Sequence, residues 1–491
     1  MKNLKKRLIQ ILVFIVLFYG LLLIPDFEKK EPINQSDTKP FFWNNDTLWN
    51  RLENDFRKAK TLPSNKVDSA ILILKSEAVS KYLYLQNKKL VYTDSNLVVI
   101  QNIFFSLAPL IAVNQSELNW YTSYYNQVRN LVKLQSQHWN MQEPAVRDKV
   151  YSLLYGMRAA TEEVLLQSDS KSFSPGMLVK EEVSVTPAAS IFGIEVHSGD
   201  LLVSRGGAEV SALISRGNDY PGNFSHVALL YCDKKTNQPF LIESHIEKGV
   251  AVSTVEQYEK DKKLRFMVMR PRADLPEMIK DAMLPQKAAE KIYEESLTRH
   301  IPYDFKMDFY DSSAMFCSEV ASYAYKKNGL QLWQSPSTIS SKGVVNWLHD
   351  FGVENFVTQM PSDLEYDSQL SVVAEWRDPE TLYKDHLDNA VMDAMLEQAN
   401  NGKQIDYNIW QLPLVRIIKA YCMVKNAFGK EGLIPEGMSA TKALKNQRFV
   451  AMNKYVKNGT QKLADEFEKQ NHYRAPYWQL VKFAQLAIKE N

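Results

Sequence analysis

The chain has 491 residues, more than one ordinary domain holds, which predicts two or three domains. Hydrophobic residues make up 45% and charged residues 24%, as in a globular protein with a sizeable core. Lys and Arg number 59 against 57 Asp and Glu, so overall charge gives no argument for binding nucleic acid. The three cysteines, Cys232, Cys317 and Cys422, form no C-x-x-C pair, which argues against a disulfide framework or a zinc site.

The N-terminus has the pattern of a membrane anchor. Four basic residues lie within the first seven positions and precede an uncharged run at 8–24. As a helix this run would span about 25 Å, near the lower limit for crossing a bilayer. No small residues suitable for signal cleavage follow it. The basic residues before the run predict a cytoplasmic N-terminus. We therefore expect residues 1–27 to be an uncleaved single-pass anchor, with the rest of the chain outside the cytoplasm.

A polar segment at 28–45 is predicted to be a linker, and a helical domain is predicted at 46–175. One of its helices should begin near Ser64 and another has Pro144 in its first turn. The apolar stripes of the four predicted helices are Trp49, Leu52 and Phe56; Val67, Ala70, Ile71, Leu74 and Ala78; Leu118, Tyr121, Tyr125, Val128 and Val132; and Val146, Val150, Leu153, Met157 and Ala160. Such stripes are typical of a bundle core rather than of a cofactor site.

The pattern changes near Lys180 from helices to short strands separated by turns. The predicted strands are 200–204, 227–231, 240–243, 250–253 and 266–269. Two helical patterns lie among them, at 287–298 and 318–327. This mixture predicts an α+β domain, which we place at 186–378.

After Trp376 the predicted structure returns to helices. Asp378, Pro379 and Glu380 form an N-cap and first-turn signature. The amphipathic stretches that follow are 382–398, 409–428, 441–468 and 477–489. We expect a C-terminal helical extension at 379–491, so that an α+β domain lies between two all-helical regions.

The segment around Cys317 is the first candidate for chemistry. Phe316, Val320 and Tyr323 fit one apolar helical face, so Cys317 would lie at or near the first turn of a helix. There the helix dipole and the free N–H groups favour the thiolate, which is the nucleophilic form of cysteine. A buried structural cysteine on the same helix is the alternative.

A histidine and an acid lie in two predicted strands upstream. His226 follows a Pro-Gly turn and enters a strand, which would hold an imidazole rigidly beside a thiolate. Glu243 is an acid in an otherwise apolar strand, and its burial would require a partner such as a cationic histidine. Leu241, Glu243 and His245 share one strand face, so His245 is the rival for this third role. The alternatives are core packing for His226 and an exposed edge strand for Glu243.

Several stretches, in this order along the chain, carry a family resemblance. They are Ser198-Gly199-Asp200-Leu201-Leu202, Phe224-Ser225-His226-Val227, Leu241-Ile242-Glu243, Pro302-Tyr303-Asp304, Phe316-Cys317-Ser318-Glu319, Met360-Pro361-Ser362-Asp363-Leu364 and Glu375-Trp376-Arg377. Together they resemble the permuted papain-like amidases of the YaeF/YiiX type, in the NlpC superfamily of cysteine hydrolases, in which the histidine precedes the cysteine. The resemblance covers residues 190–380 and leaves the flanking helices unexplained.

The resemblance implies a permuted papain-like, NlpC-type catalytic domain. Cys317 would attack a carbonyl carbon and form an acyl-enzyme, His226 would be the base, and Glu243 would orient the imidazolium. Tyr303 would line the site and bind substrate. No metal and no cofactor are implied.

With the anchor, these residues predict a membrane-anchored cysteine amidase or peptidase that cleaves an envelope peptide. Two other functions stay open. One is lipid-directed acyl transfer, or thioester or ester hydrolysis, on the same fold. The other is a non-catalytic envelope scaffold. The predicted partners are an envelope peptide or acyl substrate and the membrane itself, and the sequence indicates no protein partner.

Overall fold

The computed structural model describes residues 2–26, 38–41, 45–169, 174–428, 430 and 432–489. Most of the predicted linker at 28–45 lies outside these ranges. The described residues form an N-terminal helical region, a mixed domain around one antiparallel sheet, and a C-terminal helical region. The α+β architecture with helical flanks that the sequence predicts is therefore confirmed.

The N-terminal region contains every helix predicted there and one more. Its helices are α1 (Lys2–Leu22), α2 (Asn45–Thr61), α3 (Ser64–Gln86), α4 (Ser95–Val113), α5 (Leu118–Ser136) and α6 (Pro144–Leu166). The sequence did not predict α4, because a helix that is apolar on nearly every side shows no stripe. Asp94 caps α4 by accepting a hydrogen bond from the N–H of Asn96. Phe104 of α4 is fully buried in a core shared with Tyr121 and Met157.

Two helices differ in how they place their apolar side chains. Among the described residues, α4 is the helix long and apolar enough to cross a membrane, and α1 contains a shorter apolar stretch, Ile9–Leu22. Half of the most apolar stretch of α4 is buried inside the protein (50%), so packing into the core explains why this helix is so apolar. The large apolar side chains of α1 between Ile9 and Leu21 are exposed instead.

The strands of the mixed domain form one large sheet and two small ones. They are β1 (Gly176–Leu178), β2 (Ala188–Ile191), β3 (Ile194–His197), β4 (Leu201–Gly206), β5 (His226–Cys232), β6 (Pro239–His245), β7 (Gly249–Thr254), β8 (Lys263–Pro271), β9 (Ser337–Thr338), β10 (Val357–Thr358) and β11 (Leu370–Trp376). The large sheet is antiparallel throughout, in the order β1–β11–β8–β4–β5–β6–β7. The five predicted strands are β4 to β8.

Helices cover one face of the large sheet. The helices of this domain are α7 (Glu209–Arg216), α8 (Val255–Lys260), α9 (Pro276–Lys280), α10 (Leu284–Thr298), α11 (Cys317–Lys326) and α12 (Lys342–Phe351). Strand alternation sends Val203 and Leu229 to the face covered by α10 and α11. It sends Leu202 and Leu230 to the face covered by the β2–β3 hairpin. The helix α11 therefore packs across β5 and β6, the two strands that carry the predicted histidine and acid.

Buried ion pairs join the sheet to both helical regions. The C-terminal helices are α13 (Pro379–Asn400), α14 (Leu412–Ala427), α15 (Ala440–Asn471) and α16 (Tyr477–Lys489). Arg265 of β8 donates to Glu162 of α6 at 2.6 and 3.0 Å, and to Asp385 of α13 at 2.8 Å. All three side chains are buried. A buried charge that loses its partner is costly, so this network fixes the sheet against α6 and α13.

Candidate active site

Cys317 is the first residue of α11. Phe316 before it is extended, with φ −89° and ψ 172°, so the helix begins at the cysteine. The N–H of Cys317 is one of the first-turn amides that have no acceptor inside the helix. Its Sγ lies 3.7 Å from the carbonyl oxygen of Ser225 and 3.9 Å from Oγ of Ser318. The positive end of the helix favours a negative charge at this position.

The register between β5 and β6 places His226 beside Glu243. It pairs Ala228 with Glu243, so His226, two residues earlier on β5, lies diagonal to Glu243 on the same face. The Nε2 atom of His226 is 2.9 Å from Oε2 of Glu243. This contact leaves Nδ1 as the ring nitrogen available to Cys317.

Glu243 is a buried carboxylate that stays ionised. Burial raises its pKa, but the hydrogen bond from His226 and the neighbouring ring of His245 outweigh this effect and hold the pKa well below the ordinary value. An ionised Glu243 can therefore orient the ring of His226 and balance a positive charge on it.

Cys317 and His226 each shift the pKa of the other. Burial raises the pKa of Cys317, but the hydrogen bond and charge of His226 lower it to a net value below the ordinary 9.0. Burial lowers the pKa of His226, but hydrogen bonds with Cys317 and Glu243 raise it to about 10. The backbone of Val227 also lowers the pKa of Cys317. This arrangement favours a thiolate beside an imidazolium, the pair that nucleophilic amide cleavage uses.

His245 is a second histidine beside the same carboxylate. Its Nε2 is 3.6 Å from Oε1 of Glu243, and its ring centroid is 5.6 Å from that of His226. The contact of Glu243 with His226 is the shorter one, at 2.9 Å. Glu243 is therefore hydrogen-bonded to His226, whereas His245 is a more distant neighbour of the carboxylate.

Tyr303 lies near the thiol, as a residue lining the site would. Burial, together with the negative charge of Cys317, raises the pKa of Tyr303 well above its ordinary value. Its ring packs edge-on against Phe305, with the centroids 5.0 Å apart. The phenol is therefore neutral and can donate a hydrogen bond.

Other groups at the site carry no motif of their own in the sequence. The Ser225 carbonyl contacts the sulfur from just before β5, and its only sequence signal is that Ser225 precedes His226. Glu319 is buried two residues after Cys317. Burial and the charge of Asp304 raise the pKa of Glu319 to about 9, so at neutral pH it adds no negative charge near the thiolate.

A helix that begins with a cysteine and packs on an antiparallel sheet bearing a histidine and an acid is the arrangement that the resemblance to papain-like amidases predicts. Residues 195–374 match the family model described as "Permuted papain-like amidase enzyme, YaeF/YiiX, C92 family". This match confirms the resemblance seen in the sequence.

Solved structures and curated proteins give two further comparisons. Among solved structures, the chain is similar to the metalloprotein yiiX from Escherichia coli O157:H7. That likeness has 17% identity and a TM-score of 0.28, and it covers 36% of this chain and 95% of that chain. The search of the curated proteins found no match. Within the ranges the structure describes, no three His, Cys, Asp or Glu side chains are grouped to hold a metal ion.

Proposed function

We propose that this chain is a membrane-anchored cysteine amidase or peptidase that cleaves an amide bond in a cell-envelope peptide. The observation that carries the proposal is the 2.9 Å hydrogen bond between Nε2 of His226 and Glu243, in a family domain where His226 also pairs with Cys317. The family supplies the hydrolase class, and the cysteine chemistry is inferred from this geometry.

In the first half-reaction the thiolate of Cys317 attacks the amide carbonyl carbon and forms a C–S bond. The carbonyl oxygen takes the displaced electron pair, and the N–H of Cys317 at the start of α11 is a donor for this oxyanion. Collapse of the adduct breaks the C–N bond. The imidazolium of His226 gives its Nδ1 proton to the leaving amine, which departs and leaves a thioester on Cys317.

In the second half-reaction water attacks the thioester carbon, and the neutral ring of His226 takes a proton from that water. The C–S bond then breaks, which releases a carboxylic acid and restores the thiolate and the imidazolium. Glu243 stays ionised throughout, because its pKa is held well below the usual range, and keeps the imidazole oriented. Tyr303 would donate a hydrogen bond to the bound substrate.

We further propose that α1 anchors the chain in the membrane by a single pass, with the catalytic domain outside the cytoplasm. The exposed apolar side chains between Ile9 and Leu21 and the basic residues before them support this topology. A purified protein that keeps Met1 and stays in the membrane fraction would agree with it. An N-terminus beyond residue 24 would contradict it.

Labelling with an electrophilic probe tests the cysteine chemistry. The full-length protein in lipid nanodiscs is treated with an iodoacetamide probe at neutral pH, and the modified residue is found by mass spectrometry. We expect labelling of Cys317 and none of Cys232, because burial raises the pKa of Cys232 to about 12. Cys422→Ala is the matched control, since it removes a buried thiol outside the site. A folded protein with an unreactive Cys317 would favour the non-catalytic scaffold.

Matched substrates distinguish the amidase hypothesis from the hypothesis of lipid-directed acyl chemistry. Amide, ester and thioester substrates with the same acyl group are compared for release of their leaving groups. Turnover of the amide supports the proposed amidase. Turnover of only the ester or thioester, or transfer of the acyl group to an added acceptor, would move the assignment to lipid-directed acyl chemistry.

A further inference from the structure

The outward side of α14 is an exposed apolar surface. Large apolar side chains recur at intervals of three or four residues from the 3-10 turn Ile409–Gln411 through α14, and each is 56% to 79% exposed. These residues, called here the α14 face, are Trp410, Leu414, Ile417, Tyr421, Val424 and Phe428. Residues at this spacing lie on one side of a helix, and a contiguous exposed apolar patch marks a partner or membrane surface.

The end of α1 is attached to α14. The guanidinium of Arg416 donates to the carbonyl oxygen of Leu22 at 3.1 Å and to the carboxylate of Asp26 at 2.9 Å. The hydroxyl of Tyr19 donates to the carbonyl oxygen of Trp410 at 3.4 Å. A helix end leaves its last carbonyls without intrahelical partners, and Arg416 supplies a donor for them. The α14 face therefore begins where the apolar part of α1 ends.

The charge of this segment suits a lipid headgroup layer. The stretch 407–430 contains Arg416, Lys419, Lys425 and Lys430 and no acidic residue. An apolar helix face together with basic residues is the pattern of a helix that lies in the membrane interface. Basic side chains close to a bilayer are attracted to anionic headgroups.

We propose that the α14 face lies in the extracytoplasmic leaflet of the bilayer that α1 crosses and forms a second membrane contact. The proposal rests on the proposed insertion of α1, because the contacts of Arg416 and Tyr19 place α14 at the level where α1 leaves the hydrocarbon. The occupant of the face is lipid, because the surface is continuous with the exposed apolar side chains of α1. Tyr19 and Trp410 meet at this level, where aromatic side chains are enriched in membrane proteins.

Fluorescence quenching by nitroxide lipids tests this contact on the full chain. An environment-sensitive fluorophore is attached to Ile417→Cys, Val13→Cys or Leu72→Cys in a Cys317→Ala background, in which the remaining two cysteines are buried. The proteins are reconstituted in phosphatidylcholine–phosphatidylglycerol vesicles that carry the nitroxide near the headgroup end of the acyl chain. Leu72 is the matched control, because it is an equally exposed apolar residue on α3.

We expect loss of fluorescence at positions 417 and 13 and none above background at position 72. Quenching at 13 without quenching at 417 would overturn the α14 contact and leave the α1 anchor intact. Quenching at 417 without quenching at 13 would refute the anchor, and with it the placement of the α14 face in a bilayer that α1 crosses. Absence of quenching at both positions would overturn both. Thermal melts of the three labelled variants confirm that each is folded.

Discussion

Replacing His226 with glutamine should raise the pKa of Cys317 above its ordinary value of 9.0. Glutamine keeps a side chain that can donate to Glu243, but it cannot carry the positive charge that favours the thiolate. Burial, which raises the pKa of a thiol, would then dominate. Cys232 is an internal reference for this effect, because burial and the charge of Asp200 raise its pKa to about 12.

The expected size of the effect follows from the ionised fraction. One pKa unit changes the thiolate fraction about tenfold, so at pH 7 a thiol with a pKa of 9.0 or higher is ionised in at most about one molecule in a hundred. We therefore expect labelling of Cys317 at pH 7 to fall about tenfold or more. Turnover should fall about 10²-fold or more, because the variant also lacks the general base.

The assay measures labelling of Cys317 against pH in wild type and His226→Gln, with thermal melts to establish that both are folded. His197→Gln is the matched control, because the ring of His197 bonds the Thr186 carbonyl at 2.8 Å and lies outside the site. The control should keep the wild-type profile. A folded His226→Gln protein with an unchanged profile would refute the idea that His226 ionises the thiol.

Glu243→Gln should raise the pKa of Cys317, measured by labelling against pH, less than His226→Gln does. A larger rise in His245→Gln than in Glu243→Gln would assign the role of orienting His226 to His245. Turnover should have a bell-shaped pH profile, with an acid limb below pH 9.0 where the thiolate is protonated and an alkaline limb near pH 10 where the imidazolium is lost. Arg265→Met should lower the free energy of unfolding by about 3 kcal/mol in urea melts, because it removes the guanidinium that bonds two buried carboxylates and leaves them only His386 and Arg205 as close partners. Arg299→Met, which breaks a partly exposed pair, should cost about 0–1 kcal/mol, and equal losses would contradict the argument.

Local patterns predicted most of the secondary structure. The strands β4 to β8 were predictable because turn residues separate short β-branched and aromatic runs. The helix α13 begins where Asp378 was expected to cap it, and its carboxylate accepts from the N–H of Thr381. The edge strand β1 was not predicted, because it has only three residues and gains its structure by pairing with β11, far along the chain. Such non-local pairing leaves no periodic signal.

The candidate site was predictable in its residues but not in its geometry. The position of Cys317 at a helix start and the acid in an apolar strand are local features. The choice between Glu243 and His245 depends on the register of β5 and β6, since a slip of one residue would turn every side chain to the other face. The structure gives that register. In it, the carboxylate of Glu243 lies 2.9 Å from Nε2 of His226 and 3.6 Å from Nε2 of His245.

The proposed membrane surface and the thiol are separated by a short chain of side-chain contacts. Cys422, on the inner side of α14, is buried in a cluster against which Phe305 packs. The ring of Phe305 contacts Tyr303, and Tyr303 is near enough to Cys317 for the charge of the thiolate to raise the pKa of the phenol. Contact of α14 with lipid would therefore hold the active site next to the bilayer surface.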